Sequence, residues 1–296
     1  MSAAPRTVRE VLAAGAGFLE GKGPENPRLA CEMLLSRLLG CKRLDLYLQY
    51  DRVLDEPRLA AMRRGVKRLA AGEPVQYILG ETEFMGHGFK VDRRALIPRP
   101  ETELLTEAVL NAKALWEGDA SDGSGVLLAD VGTGCGCIAV SLALARPAAR
   151  CVAFDISAEA LDLARANARA HGVEERVAFV HGELSDGLEP GMVSAVTANL
   201  PYVPTAEYEK LPPHIREHEP RAALDGGDDG LAVIRDVIAD AAIALQVGGF
   251  LFLETGTGQG AAVRSLLEKS GFEQIEIRPD LAGHDRIAVG RMSVVT

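Results

Sequence analysis

Three early stretches of the chain, VREVLAAGAGFLEG, PRLACEMLLSRLLG and EPRLAAMRRGVKRLAAG, place apolar residues at helical spacing and end near a glycine. Pro27 and Pro57 stand near the starts of the second and third, where a missing backbone N–H is tolerated. The spacing predicts a small helical bundle over residues 1–73, with about four helices. The pattern then changes. Residues 74–98, PVQYILGETEFMGHGFKVDRRALIP, carry short β-branched and aromatic runs broken by glycine, which predicts a β-hairpin linker. From residue 99 to 296, strand-like and helix-like segments alternate. Strands are predicted at 126–131, 150–156, 177–180, 193–198, 250–254, 274–278 and 286–290, with helices at 138–145, 159–171, 231–245 and 261–269. Alternation of this kind predicts an α/β fold with a doubly wound, mostly parallel sheet.

The loop after the first of these strands reads Asp130-Val131-Gly132-Thr133-Gly134-Cys135-Gly136. Glycines there permit a tight turn and let a ligand lie against bare backbone. Asp155 ends the next strand, where a carboxylate can accept both hydroxyls of a ribose. A dinucleotide loop requires a third glycine where Cys137 stands, and a phosphate-cradling loop requires a Gly-Lys-Ser/Thr run that is absent. An adenosyl ligand without a pyrophosphate suits the turn, because Asp130 can face the ammonium of a methionine moiety. Nicotinamide binding and an ordinary structural turn stay open. Glu183, after the third strand, is a candidate for the adenine side, and equally a solvated loop acid.

Asn199-Leu200-Pro201-Tyr202 follows the fourth strand and therefore lies beside the glycine turn. Its chemistry suits a planar NH2 group attacking a methyl sulfonium, a reaction that requires alignment more than a strong base. The Asn199 side-chain oxygen and the carbonyl of Leu200 can accept the two N–H bonds. Pro201 stiffens the turn, and the Tyr202 ring can cover the flat acceptor group. As a bland alternative, Asn and Pro are common turn residues at a strand exit.

Composition narrows the partners. With 296 residues, 47% of them hydrophobic, the chain can bury one full domain plus a small one. Net charge is -10, from 32 basic and 42 acidic residues, so a protein surface is expected as the macromolecular partner and no direct nucleic-acid substrate. The five cysteines, Cys31, Cys41, Cys135, Cys137 and Cys151, are scattered and odd in number, which points to reduced thiols and a cytoplasmic setting. Cys135 and Cys137 have no second Cys/His pair nearby, so no metal is expected. The opening MSAAPRTVRE lacks a signal-peptide core, and no apolar run approaches the roughly 18–20 residues of a membrane helix.

The motifs taken together resemble those of the peptide chain release factor glutamine N5-methyltransferases, the PrmC/HemK family, over most of the chain from about residue 73. The resemblance is carried by Gly72-Glu73-Pro74-Val75-Gln76-Tyr77-Ile78-x-Gly80, Phe84-Met85-Gly86, Phe89-x-Val91 and Leu96-Ile97-Pro98-Arg99-Pro100-Glu101-Thr102-Glu103. It continues through the Asp130–Cys137 loop, Asp155-Ile156-Ser157 and Glu219-Pro220-Arg221-x-Ala223-Leu224-x-Gly226-Gly227-x-Asp229-Gly230-Leu231. Glu254-x-Gly256-x-x-Gln259 and Asp280-Leu281-Ala282-Gly283-x-Asp285-Arg286 complete it.

The resemblance implies a seven-stranded Rossmann-like methyltransferase sheet with a reversed last strand, and an N-terminal helical domain that helps to dock a release factor. It implies S-adenosyl-L-methionine as cofactor, held by Asp130, Gly132, Thr133, Gly134, Cys135, Gly136, Asp155, Glu183, Leu184 and Asn199. Asn199, Leu200, Pro201 and Tyr202 would hold the glutamine of a Gly-Gly-Gln motif, with Asn199, Pro201 and Tyr202 as the catalytic set. Arg99 and Glu101 would stand at the mouth of the site, or form a structural ion pair. Two residues depart from the family pattern. Leu200 replaces the second residue of the usual Asn-Pro-Pro-Tyr, and Leu184 stands where many relatives carry an aromatic ring. Asn-Leu-Pro-Tyr also resembles the ribosomal RNA adenine dimethyltransferases, so adenine N6-methylation is the alternative, and a non-catalytic adenosyl-binding protein is a third.

Overall fold

The computed structural model describes residues 6–117 and 125–293, so the readings made for residues 1–5, 118–124 and 294–296 lie outside the described residues. The chain divides into two compact units, Met1–Glu81 with Leu211–Glu219, and Thr82–Lys210 with Pro220–Thr296.

The first unit contains β1 (Arg6–Thr7), α1 (Val8–Leu19), α2 (Pro27–Leu39), α3 (Asp45–Leu48), β2 (Val53–Leu54), α4 (Glu56–Ala70) and α5 (Val75–Leu79). Local chemistry sets the helix ends. Thr7 and Glu10 form a reciprocal capping box at the start of α1. Asn26 caps α2 ahead of Pro27, and Gly40 ends it in the left-handed conformation at φ 64°. The apolar faces meet in a core that includes Leu12, Leu19, Cys31, Leu35, Leu46 and Leu69. The stretch 74–98 thus opens on a helix, α5, before any strand begins.

From Glu81 the chain forms the antiparallel hairpin β3 (Glu81–Phe84) and β4 (His87–Lys90), whose turn holds Met85 and Gly86 at positive φ, and the second unit begins within β3 at Thr82. Next come α6 (Pro100–Leu110) and α7 (Lys113–Trp116), then β5 (Leu127–Val131), α8 (Cys137–Ala145), β6 (Arg150–Asp155), α9 (Ala158–Ala170) and β7 (Val177–His181). The chain continues through β8 (Val193–Ala198), α10 (Thr205–Tyr208), the first unit's α11 (Pro213–Arg216), α12 (Ala232–Ala244), β9 (Leu245–Glu254), α13 (Gly260–Lys269), β10 (Phe272–Pro279) and β11 (Asp285–Met292). The seven strands run in the order β10-β11-β9-β8-β5-β6-β7. β11 is antiparallel to both of its neighbours, while the strands from β9 to β7 are parallel. Every residue of β8 is buried, as expected of a central strand covered on both faces.

The order of the sheet changes direction between β5 and β8, and this is the position where open α/β sheets bind ligands. Val131 pairs with Ala198 in register. The glycine turn and the Asn199 loop therefore leave the sheet from adjacent strands at the same level. No helix among the described residues is long and apolar enough to cross a membrane.

Candidate active site

Gly132, Gly134 and Gly136 all adopt positive φ, at 70°, 56° and 82°, where a side chain is strained. A Cβ on Gly136 would also sit 3.0 Å from that of Ala164 on α9. The turn is pinned from the next strand. Thr133 N donates to Phe154 O at 2.9 Å, and Gly134 N donates to Asp155 Oδ2 at 2.8 Å. Ser157 N donates to Asp155 Oδ1 at 2.8 Å, so backbone donors orient both carboxylate oxygens. Burial raises the Asp155 carboxyl above its ordinary range, against the pull of these two bonds.

Asp130 has no solvent exposure. Its Oδ2 accepts from the Thr133 hydroxyl at 2.6 Å and from Ala139 N at 3.3 Å, while Oδ1 has no partner among the described residues. Burial pushes its carboxyl up to about 7. Cys135 and Cys137 are buried, and hydrogen bonding to Cys135 holds the Cys137 thiol well above the usual range. Asn167 on α9 braces the turn by donating to Cys135 O at 2.8 Å and to Lys90 O at 3.0 Å while accepting from Lys90 N. Beyond β7, Gly182 N donates to Asp155 O at 3.0 Å. Glu183 is exposed and shares a reciprocal cap with Asp186, whereas the Leu184 side chain is buried in the sheet core.

The Asn199 loop is close to the glycine turn. A Cβ built on Gly132 would lie 3.4 Å from Leu200 Cδ2 and 3.5 Å from Asn199 O. Asn199 is half-buried, and its Nδ2 donates to Thr102 Oγ1 at 2.9 Å. Thr102, in the first turn of α6, donates in turn to Glu254 Oε2 at 2.7 Å. The Tyr202 hydroxyl donates to the other Glu254 oxygen at 3.2 Å. Asn199 Oδ1 and the Leu200 carbonyl accept no hydrogen bond among the described residues.

Neighbouring segments fix the remainder of the loop. Gln259 Nε2 donates to Tyr202 O at 3.0 Å, and Gln259 Oε1 accepts from Gly256 N at 2.8 Å. A Cβ on Gly226 would fall 2.5 Å from Pro201 O, so a bare backbone is required there. Glu254 is almost fully buried, and its carboxyl is raised by that burial in spite of the Thr102 and Tyr202 bonds. Burial and the Glu254 charge push the Tyr202 phenol far above its ordinary value. Arg286, held by Asp280 at 3.2 Å, favours the charged forms of both Tyr202 and Glu254. Arg99 and Glu101 start α6 within electrostatic reach of the pair: Arg99 acts on Tyr202, and Glu101 acts on Glu254. Thr102, Asn167, Glu254 and Gln259 had no role in the sequence reading. Three of them stand inside the motifs quoted above, but their convergence on the loops depends on strand order.

A seven-stranded sheet with one reversed strand, a glycine turn at its switch point and an Asn-x-Pro-Tyr loop alongside define a Rossmann-like methyltransferase. Residues 10–80 match the family described as the PrmC N-terminal domain, and residues 103–194 match the one described as a precorrin methyltransferase domain. The release factor glutamine methyltransferase of Geobacter sulfurreducens is 42% identical over 97% of each chain. That of Chlorobaculum tepidum is 42% identical over 95% of each, and that of Rhodopirellula baltica is 38% identical over 96% of this chain and 95% of its own. The chain belongs to the release factor glutamine methyltransferases.

Proposed function

We propose that this chain transfers a methyl group from S-adenosyl-L-methionine to the side-chain amide nitrogen of the glutamine in the Gly-Gly-Gln motif of peptide chain release factors. One observation carries the reading: the Asn199–Leu200 segment lies against the glycine turn, a Cβ on Gly132 falling 3.4 Å from Leu200 Cδ2 and 3.5 Å from Asn199 O, and that segment keeps two oxygens, Asn199 Oδ1 and the Leu200 carbonyl, that accept no hydrogen bond among the described residues. A primary amide offers two N–H bonds in one plane, and two acceptors are what hold such a group. Leu200 suffices in place of proline, because the acceptor is its backbone. Pro201 would stiffen the loop and Tyr202 would cover the flat amide.

Three features support the cofactor. The glycine turn holds three residues without a Cβ at positive φ, so a ligand could approach bare backbone there, the unpartnered Asp130 Oδ1 would be completed by an ammonium group, and Asp155 keeps lone pairs for ribose hydroxyls. When bound, S-adenosylmethionine would supply a methyl carbon: the carbon–sulfur electrons would leave with sulfur as the carbon–nitrogen bond forms, and the amide nitrogen would release one of its two protons to solvent. Thr133, Cys135 and the three glycines would shape the pocket wall, and Glu183 and Leu184 would border the adenine side. Arg99 and Glu101 would meet the substrate at the mouth of the site. Residues 1–73 would dock the release factor, residues 74–98 would link them to the catalytic part, and residues 99–296 would perform the transfer. A cytoplasmic setting agrees with five cysteines that are all free thiols. The test is incubation with purified release factor and labelled cofactor, followed by mass mapping. A methyl group on the Gly-Gly-Gln glutamine is expected; label on RNA or DNA with none on the protein would overturn the reading.

A further inference from the structure

We propose that Glu254, acting through the Thr102 hydroxyl, sets which way round the Asn199 amide stands, so that its oxygen and not its nitrogen faces the substrate. The inference rests on Asn199 as the holder of the glutamine amide. It assigns Glu254 and Thr102 as positioning residues.

The two ends of an asparagine side chain are nearly equal in shape and opposite in hydrogen-bonding character. With Asn199 flipped, an NH2 would confront the NH2 of the substrate, and neither could accept from the other. Something must hold the amide in one orientation while the site is empty. The network does so by elimination. An ionised carboxylate only accepts, whereas a hydroxyl has one proton to donate and lone pairs to receive. Glu254 takes a hydroxyl on each oxygen, from Thr102 at 2.7 Å and from Tyr202 at 3.2 Å. The Thr102 proton is thereby committed, and only lone pairs remain for Asn199 at 2.9 Å. Only the NH2 end of Asn199 can meet them, so Oδ1 is turned away from Thr102. Thr102 is 2% exposed and Glu254 is 1% exposed, which leaves little access for a water that could substitute as donor or acceptor. With Glu254 ionised, the chain of bonds has a single polarity that starts at its carboxylate.

A reversal of that polarity is the test. Asn199→Asp places an oxygen against the Thr102 lone pairs with no proton between them. Adding Glu254→Gln presents an N–H to Thr102, which frees its hydroxyl to donate to the new carboxylate. We expect Asn199→Asp to lower kcat by about 100-fold, and the double variant to recover at least about tenfold of that, although Glu254→Gln alone is also impaired. Thr102→Val, similar in shape but without the hydroxyl, is expected to lower kcat by about tenfold or more with cofactor Kd within about twofold. Thr102→Ser is expected to restore it to within about threefold. A Glu254 that merely supported the fold would not make Glu254→Gln beneficial in any background. A double variant no more active than Asn199→Asp, at matched melting temperature and cofactor affinity, overturns the proposal. Should the double variant not fold, the Thr102→Val and Thr102→Ser pair decides, and equal activity of the two overturns it. Loss of activity in Asn199→Ala with full activity in Thr102→Val would reject the orienting network alone. Full activity in Asn199→Ala would reject the reading of Asn199 itself.

Discussion

Asp130 is a buried carboxyl with one oxygen bonded and the other bare, and burial brings its pKa from 3.8 up to about 7. The sign of the consequence follows from linkage. A carboxyl raised in the folded state binds its proton more tightly there than in the unfolded chain, so its stabilising contribution is complete below 3.8 and is lost as pH rises through about 7. Without ligand, the protein is therefore expected to lose melting temperature between about pH 4 and pH 7, and Asp130→Asn to flatten that decline. Thermal scans across this range with Asp155 intact check it; parallel curves for the two proteins would show that Asp130 does not carry the effect. In the proposed reading the bare oxygen would also be what makes the residue useful, since a cation brought beside it would reverse the cost of ionising it.

At the scale of elements, the catalytic loop is held by what is missing as much as by what is present. Gly230 adopts φ 73°, and a Cβ there would lie 2.7 Å from Gln259 Nε2 and closer still to Tyr202 O. Gly230→Ala is expected to displace the Asn199–Tyr202 loop and lower kcat by about tenfold or more, with cofactor Kd within about twofold because the glycine turn is untouched. Steady-state kinetics and calorimetry separate the two; unchanged kcat would mean that the loop yields without consequence. The same contrast explains what could be read from sequence. The glycine turn and the Asn199 loop were legible because their chemistry is local and each follows an apolar run. The doubly wound sheet was legible from alternation alone. The first half of β9, residues 245–249, ahead of the segment read as strand, was not, because pairing with β8 determines it. Thr102 and Glu254 stand 152 residues apart, and their bond exists only once α6 and β9 have packed. No local pattern encodes that contact.

For the molecule as a whole, the net charge of -10 is the property that makes a protein surface the proposed macromolecular partner. The spacing of apolar residues made α1, α2 and α4 legible as helices, but the return of residues 211–219 to the first unit gives no composition signal. The catalytic half depends on few atoms. In the proposed reading, two adjacent strands would present a turn for a nucleoside-like ligand and a pair of acceptors for a flat NH2, and alignment would perform the work that a strong base would otherwise have to do. The most direct measurement is a paired determination of cofactor Kd and single-turnover rate in Asn199→Ala. Cofactor affinity within about tenfold of the parent, with a rate at least about 100-fold lower, or about 2.7 kcal/mol in barrier, is the expected result. A rate close to that of the parent would contradict the account.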